Sequence, residues 1–275
     1  MSWNVAIGRG RLPELVEKIR AGAFDGETRS HDRPLVILAQ EAFRADESVP
    51  QQLKSQFHGG HAPRAPRNDI TDMARTLAFD LRYAPSMRNG DHRSDRGNAI
   101  LSSHRIKHWN CYTLPHVRQR RVAVAAELGG VTFVSAHLDT RGRVRATPMT
   151  GRYGTGRTAQ ARGLVDMLEK EYDVSHPIII GADFNSYLGL REPLLDELGA
   201  RGFRRVPHHP KGHTFHANPL RMLLDHVFVR TAGEHMITAR VLRLDEDERD
   251  RGPAVFGSDH HPLLATFEFT EMKGS

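Results

Sequence analysis

The chain has 275 residues, of which 39% are hydrophobic and 26% are charged, a composition typical of a globular protein with one large α/β domain or two small ones. No apolar run approaches the roughly 18 residues of a membrane-spanning helix, and the single cysteine, Cys111, excludes an intramolecular disulfide and sites built from paired cysteines. The formal charge of +6 favours polyanionic partners such as nucleic acid, phospholipid headgroups or phosphorylated metabolites. The alternative is an arginine-rich composition without functional meaning.

Strand-like apolar runs alternate with amphipathic helices along the whole chain. In chain order, the predicted strands are 2–7, 34–41, 97–102, 121–128, 131–138, 177–183, 222–229 and 261–269. The predicted helices are 12–22, 48–57, 70–81, 157–172 and 191–201. Gly129 and Gly130 join two of the strands and suit a type I′ hairpin turn, so the sheet is not purely parallel. No linker divides the chain, and we expect a single domain over residues 1–275.

Polar side chains stand at or near the ends of the apolar strands in six segments. The run PIIIGADFN, residues 177–185, ends in an acid and an amide, although an unpaired buried charge costs several kcal/mol. Taken singly, such residues are ordinary turn formers or helix caps. Together they form a chemically useful set: Asn4, Gln40, Glu41, His137, Asp139, Asp183, Asn185, Asp225, His226, Asp259, His260 and His261.

This set suits metal-assisted hydrolysis of a phosphoester. A hard cation such as Mg²⁺ prefers oxygen ligands and keeps several waters, so one or two carboxylates suffice. Glu41 and Asp259, with the amide of Asn4, are the candidate ligands, and Asp183 is the candidate acceptor for a proton of the attacking water.

The transition state also needs hydrogen-bond donors for its additional negative charge. Neutral Asn185 and a protonated His137 or His260 can donate without repelling the phosphate. A histidine needs an acid to orient it and keep it protonated, and Asp225 is available for His260.

In order along the chain, these residues resemble the motifs of the endonuclease/exonuclease/phosphatase superfamily, the deoxyribonuclease I-like metal-dependent phosphoesterases. The motifs are SWN at 2–4, QE at 40–41, GNAILS at 97–102, AHLD at 136–139, GADFN at 181–185, LLDHVFV at 223–229 and SDHHP at 258–262. The resemblance implies a four-layer α/β/β/α sandwich of two packed, mixed and largely antiparallel sheets, with the active site at one edge.

The resemblance also implies roles for the candidate residues. Glu41 is then the principal ligand of Mg²⁺ or Mn²⁺, with Asn4 and Asp259 nearby. Asp183 positions or deprotonates water, Asn185 and His137 hold the phosphate, and Asp225 pairs with His260. Which of the Asp and His residues is the general base stays open.

The leading interpretation is a metal-dependent phosphodiesterase that acts on nucleic acid, with DNA as substrate, by in-line attack of water. One alternative is a phosphatase or phosphodiesterase for lipid headgroups or small organophosphates, and another is a non-catalytic binding module on the same fold. The stretch 137–142 is similar to the corresponding segment of the members that release tyrosine from DNA ends.

We expect no stable protein partner, no membrane insertion and a monomer. Localisation stays open, cytoplasmic if Met1 is the native start and exported if a leader has been removed.

Two polar segments are candidates for substrate contact. The insert 141–158 carries Arg141, Arg143, Tyr153 and Arg157, which suit a nucleic-acid backbone and a stacking base, although a solvated loop explains them equally well. The segment 208–216 contains four histidines, which favour a substrate-facing loop over a second metal site.

Overall fold

In the computed structural model, residues 1–24, 33–45, 66–90, 93–140, 154–231, 235–246 and 255–271 are described. The predicted helix 48–57 and the candidate substrate residues Arg141, Arg143 and Tyr153 lie outside these ranges.

Two large mixed sheets form the centre of the protein. The seven-stranded sheet has the order β10-β14-β15-β1-β2-β4-β3 and the six-stranded sheet the order β5-β6-β7-β8-β13-β9, with β11 and β12 as a separate pair. The strands are β1 (Ser2–Asn4), β2 (Val36–Arg44), β3 (Asp80–Arg88), β4 (Asp95–Ser102), β5 (His108–Thr113), β6 (Val122–Leu128), β7 (Val131–His137), β8 (Ile178–Asp183), β9 (Arg204–Val206), β10 (His208–His209), β11 (Phe215–Ala217), β12 (Leu220–Met222), β13 (Asp225–Arg230), β14 (His235–Arg243) and β15 (Leu263–Glu271).

Helices cover the outer face of each sheet. The helices are α1 (Leu12–Arg20), α2 (Ile70–Leu77), α3 (Thr155–Glu171) and α4 (Pro193–Ala200). One apolar cluster joins α1 and α2 to the seven-stranded sheet, and a second joins α3 and α4 to the six-stranded sheet. Two further clusters fill the space between the sheets. The predicted α/β/β/α sandwich is confirmed.

The position of strand β8 explains why its isoleucines follow one another without alternating polar residues. Ile178 and Ile180 pack toward the helices, whereas Ile179 packs between the two sheets. Because successive side chains point to opposite faces of a strand, a strand covered on both faces needs an apolar residue at every position.

The predicted hairpin is confirmed. Leu128 pairs with Val131 across β6 and β7, and Gly129 and Gly130 have φ angles of 58° and 76°, the positive values that a type I′ turn requires.

Several predicted boundaries are wrong. Helix 70–81 ends at Leu77, where Ala78 takes a left-handed conformation, and β3 begins at Asp80. Strands β3, β5 and β14 were not predicted, because their polar and arginine-rich stretches lack a continuous apolar run.

No helix among the described residues is long and apolar enough to cross a membrane.

Candidate active site

Three polar residues lie side by side at one edge of the six-stranded sheet. His137 ends β7 and is in register with Asp183 at the end of the parallel strand β8, and Asp183 is in register with Asp225 at the start of the antiparallel strand β13. All three side chains are buried. The strand register therefore brings together residues that are up to 88 positions apart in the chain.

Asp183 is at the centre of this group. Its Oδ2 accepts a hydrogen bond of 2.9 Å from Nδ2 of Asn4, which comes from the other sheet. Its Oδ1 accepts one of 2.9 Å from the backbone N–H of Asn185. The Nε2 atom of His137 lies 3.4 Å from Oδ2, and that of His260 lies 3.8 Å away. Asp183 thus joins the two sheets at the site.

The side chains around His260 keep its imidazole ring protonated. Its Nδ1 lies 2.9 Å from Oδ2 of Asp225, and Phe215 packs edge-on against its ring. Burial by itself would lower the pKa of His260, but the carboxylates of Asp225 and Asp183 outweigh burial and raise the pKa to about 10. His260 is therefore an imidazolium at neutral pH.

His137 differs from our expectation. Burial lowers the pKa of His137 well below its usual range, and the positive charges of Arg121 and His260 act in the same direction. Of the two histidines expected to supply a protonated donor, His260 therefore fits and His137 does not, and the neutral ring of His137 offers one N–H donor only.

The pKa of Asp183 is also shifted. Burial, together with the nearby carboxylate of Asp225, raises the pKa of Asp183 to about 7, although His260 and the hydrogen bond from Asn4 oppose the shift. A carboxylate with a pKa near neutrality can accept and release a proton in catalysis.

Asn185 occupies a strained position next to this group. Its φ angle is 49°, which is uncommon for a residue other than glycine and clusters at functional sites. Its Nδ2 donates to the carbonyl of Leu138 at 2.9 Å, which leaves the second hydrogen of that amide for another acceptor.

The predicted metal ligands line the same cleft. Glu41 lies where the β2–β4 register shifts between Ala39 and Ala42, and its φ angle is 52°. This bulge turns the half-buried carboxylate toward a cleft of about 320 Å³, which Asn4, Asp183 and Asp259 also line. Bulges next to active sites commonly re-aim a side chain in this way.

The donor chemistry of these residues fits a hard divalent cation. Glu41 and Asp259 are carboxylates, and the amide oxygen of Asn4 accepts a hydrogen bond from the backbone of Ala6 at 3.0 Å and keeps a second lone pair. Asp259 also pairs with Arg9 at 3.4 Å, with part of its side chain exposed. Oxygen donors of this kind bind Mg²⁺ or Mn²⁺.

The most compact acidic and histidine group is a different one. The ligating atoms of Asp183, Asp225 and His260 all lie within 4.8 Å of one another. Because His260 is protonated and pairs with Asp225, this trio suits proton transfer and phosphate binding better than direct coordination of a cation.

Arg157 does not contact substrate, contrary to our prediction. Its side chain is 1% exposed, and its Nε and Nη2 donate to Oε1 of Glu192 at 2.9 and 2.6 Å. The residue lies in the first turn of α3 and faces inward, because a buried guanidinium requires a paired carboxylate. Its role is structural.

Several residues of the cleft were not predicted. Arg9, Arg67, Thr140, Tyr187, Phe215, Met222 and Leu224 all line it. Arg67 belongs to the Gly-, Pro- and Arg-rich segment 58–69, and Tyr187 follows Asn185 by two residues, so both had a signal in the sequence. Phe215 lies in the histidine-rich segment, which therefore does reach the cleft.

The histidines of that segment do not form a metal site. His213 lies edge-on against His216 and His261, with ring centroids 5.7 and 5.2 Å apart. Among the residues that the structure describes, no group of three with ligand spacing includes them.

The four-layer sandwich thus brings buried aspartates, an aspartate-paired imidazolium and oxygen donors that suit a cation together at one edge. A model of the Endonuclease/Exonuclease/phosphatase family matches residues 1–260. The chain belongs to this family, and the resemblance found in its motifs is confirmed.

Individual relatives are distant. A UPF0294 protein of Vibrio cholerae is 34% identical over 116 residues, and this match spans 42% of the chain and only 35% of that protein. The human Nocturnin catalytic domain has a TM-score of 0.62 with 16% identity, over 98% of this chain and 92% of that one. A mannosyl-6-phosphatase of Bacteroides thetaiotaomicron has a TM-score of 0.60 with 15% identity, over 98% of each chain. At these identities the structures show the fold alone.

Proposed function

We propose that the protein is a Mg²⁺- or Mn²⁺-dependent phosphodiesterase that hydrolyses nucleic acid, with DNA as substrate. The observation that carries this proposal is the composition of the cleft. Asp183 and His260, the latter paired with Asp225, line a cleft whose lining also includes arginines and apolar and aromatic side chains.

Asp183 takes the role of proton acceptor for the attacking water. Its carboxylate is buried, is held by Asn4 and Asn185, and has a pKa raised to about 7 by burial and by Asp225. Loss of a proton from water to this group generates the nucleophile in place.

His260 and Asn185 stabilise the charge that develops on the phosphate. The Nδ1–H of His260 donates to Asp225, so Nε2–H is left to donate to a phosphate oxygen. Asn185 has a free amide hydrogen, and neutral His137 adds a further donor. Preorganised donors in a site closed to water contribute substantially to catalysis, and removal of one such donor typically costs ~10²–10³ in rate.

Asn4, Glu41 and Asp259 would hold the divalent cation. When bound, the cation neutralises negative charge on the phosphate and its leaving oxygen.

The walls of the cleft favour a nucleic acid over a simple phosphomonoester. Arg9 is 46% exposed, so it can contact a phosphate backbone from solvent. Phe215, Met222 and Tyr187 also line the cleft and are partly exposed, and aromatic side chains of this kind stack on the faces of bases without regard to sequence.

Nicking of supercoiled plasmid tests the proposal. We expect nicking with Mg²⁺, loss of nicking with EDTA, and a loss of at least about 10³-fold in Asp183→Ala, because the proton acceptor is removed. The matched control is Asp173→Ala, which removes an exposed acid between α3 and β8 that does not line the cleft, and it should nick like the unchanged protein.

Two outcomes would contradict the proposal. Full activity in Asp183→Ala would remove this residue from its role. The second outcome is a folded, metal-bound protein that does not nick plasmid but hydrolyses p-nitrophenyl phosphate or bis(p-nitrophenyl) phosphate. The protein would then be a phosphatase or phosphodiesterase of small esters instead.

A further inference from the structure

Arg67 has two guanidinium nitrogens that make no hydrogen bond to the described part of the chain. These atoms, Nε and Nη1, are buried, although the side chain as a whole is half-buried. The side chain lines the cleft that Glu41 also lines. Burial lowers the pKa of Arg67, and the guanidinium stays charged at neutral pH. Buried donors without hydrogen bonds are destabilising unless a ligand supplies the acceptor.

The backbone around Arg67 is held in place. The N–H of Asn68 donates to the carbonyl of Gly8 at 2.8 Å, and its side chain contacts the carbonyl of Gly10 at 3.3 Å. Asp69 caps α2 through the N–H of Thr71 at 2.8 Å. These contacts dock the segment on the loop between β1 and α1, so Arg67 is presented from a defined position.

Arg67 differs from Arg9 in what it offers to an anion. Arg9 and Arg96 lie close enough to Arg67 to lower its pKa further, whereas Glu41 raises it. Arg9 already pairs with Asp259 at 3.4 Å, whereas the two buried nitrogens of Arg67 have no acceptor among the described residues. Since His260 and Asn185 are the proposed donors to the scissile phosphate, the donors of Arg67 are left for a second anion.

We propose that Arg67 is the anchor of a subsite for a second, non-scissile phosphate, so that the protein prefers phosphodiesters that carry an adjacent phosphate. Such a phosphate is the next unit of a polynucleotide or a phosphorylated end. A guanidinium suits this ligand because its planar donors match two phosphate oxygens at once. The inference rests on the proposed function, since it assigns a subsite of the same cleft.

Kinetics on matched dinucleotides test the subsite. The substrates are thymidylyl-thymidine without a terminal phosphate, with a 5′-phosphate and with a 3′-phosphate. We expect the unchanged protein to prefer one phosphorylated form by about tenfold or more in kcat/KM, since charge-assisted bidentate contacts are the strong ones. Arg67→Gln should abolish this preference, so kcat/KM should fall at least about tenfold further on the preferred phosphorylated form than on the unphosphorylated form.

The matched control is Arg75→Gln. Arg75 lies on α2, is 76% exposed and pairs with Asp72, so this substitution makes the same change in net charge near the same element. It should retain the preference. An equal loss on all three dinucleotides in Arg67→Gln would overturn the inference, since Arg67 would then act on the scissile phosphate or the cation. Absence of any preference in the unchanged protein would overturn it as well.

A binding measurement separates this inference from the proposed function. Calorimetry with thymidine 3′,5′-bisphosphate and thymidine 5′-monophosphate needs no hydrolysis. We expect the bisphosphate to bind at least about tenfold more tightly, and Arg67→Gln to remove the difference. If no dinucleotide is hydrolysed, the proposed nuclease activity fails, and calorimetry still decides the role of Arg67. Equal affinities in the unchanged protein would overturn the subsite.

The stability of the ligand-free protein gives a further readout. Because the guanidinium lacks partners, Arg67→Gln should leave the melting temperature unchanged or raise it. A lower melting temperature would assign Arg67 a structural role and contradict the inference.

Discussion

The Nδ1 atom of His260 lies 2.9 Å from Oδ2 of Asp225, and both side chains are buried at the meeting point of the two sheets. Asp225 starts β13 in the six-stranded sheet, whereas His260 precedes β15 in the seven-stranded sheet. Asp225 thus fixes the ring orientation and keeps the imidazole charged. The pair exists only when the two sheets are packed together.

Asp225→Asn is expected to reduce kcat/KM by about 10²-fold or more, because the ring loses its orienting carboxylate. The sign of the pH effect follows from the charge. The carboxylate raises the pKa of His260 to about 10, so its removal lowers that pKa and moves the alkaline fall in activity to lower pH. The pH–rate profiles of the unchanged protein and of Asp225→Asn measure this shift. If activity falls at the same alkaline pH in both proteins, the role of Asp225 is contradicted.

The raised pKa of Asp183 predicts that activity falls as the pH drops below neutrality. Its pKa is raised to about 7 by burial and by Asp225, so the carboxylate is protonated below that pH and cannot accept a proton from water. Activity should fall about tenfold for each pH unit below 7. The profile of kcat/KM from pH 5 to 8 at saturating Mg²⁺ checks this, and a level profile over that range would be inconsistent with Asp183 as the acceptor.

Glu41→Gln should weaken binding of the cation by at least about tenfold, since the number of charged ligands sets the affinity for hard cations. Calorimetric titration with Mn²⁺ measures the effect. Glu17→Gln, on the exposed face of α1, serves as the control because it makes the same change outside the cleft. Equal Mn²⁺ affinity in the Glu41 variant and the control would remove Glu41 from the metal site.

Glu192→Gln should lower the free energy of unfolding by about 3–5 kcal/mol, because it removes the negative charge that contacts the buried guanidinium of Arg157. Glu197→Gln breaks the pair of Glu197 with the exposed Arg162 and should lower the free energy of unfolding much less than Glu192→Gln does. Urea unfolding compares the two variants. Similar small losses in both would show that the Arg157–Glu192 pair is not a structural element.

Much of the site was predictable because strand ends carry its chemistry. Apolar runs such as 177–183 located the strands, and the polar residues after them, which singly are ordinary turn formers, indicated function as a set. Arg157 was misassigned because an arginine in a glycine-rich stretch looks the same in sequence whether it faces solvent or a buried glutamate 35 positions away.

The amino-acid sequence by itself determined the alternation of strands and helices, the hairpin at Gly129 and Gly130, and the identity of the polar groups. These depend on local properties, namely side-chain polarity, apolar periodicity and the preference of glycine for positive φ. Only the tertiary structure decided that His137, Asp183 and Asp225 stand in register and that His260 is charged while His137 is neutral. It also decided that two buried nitrogens of Arg67 have no hydrogen-bond partner among the described residues. Those properties depend on distance and burial between residues far apart in the chain, which no local pattern records.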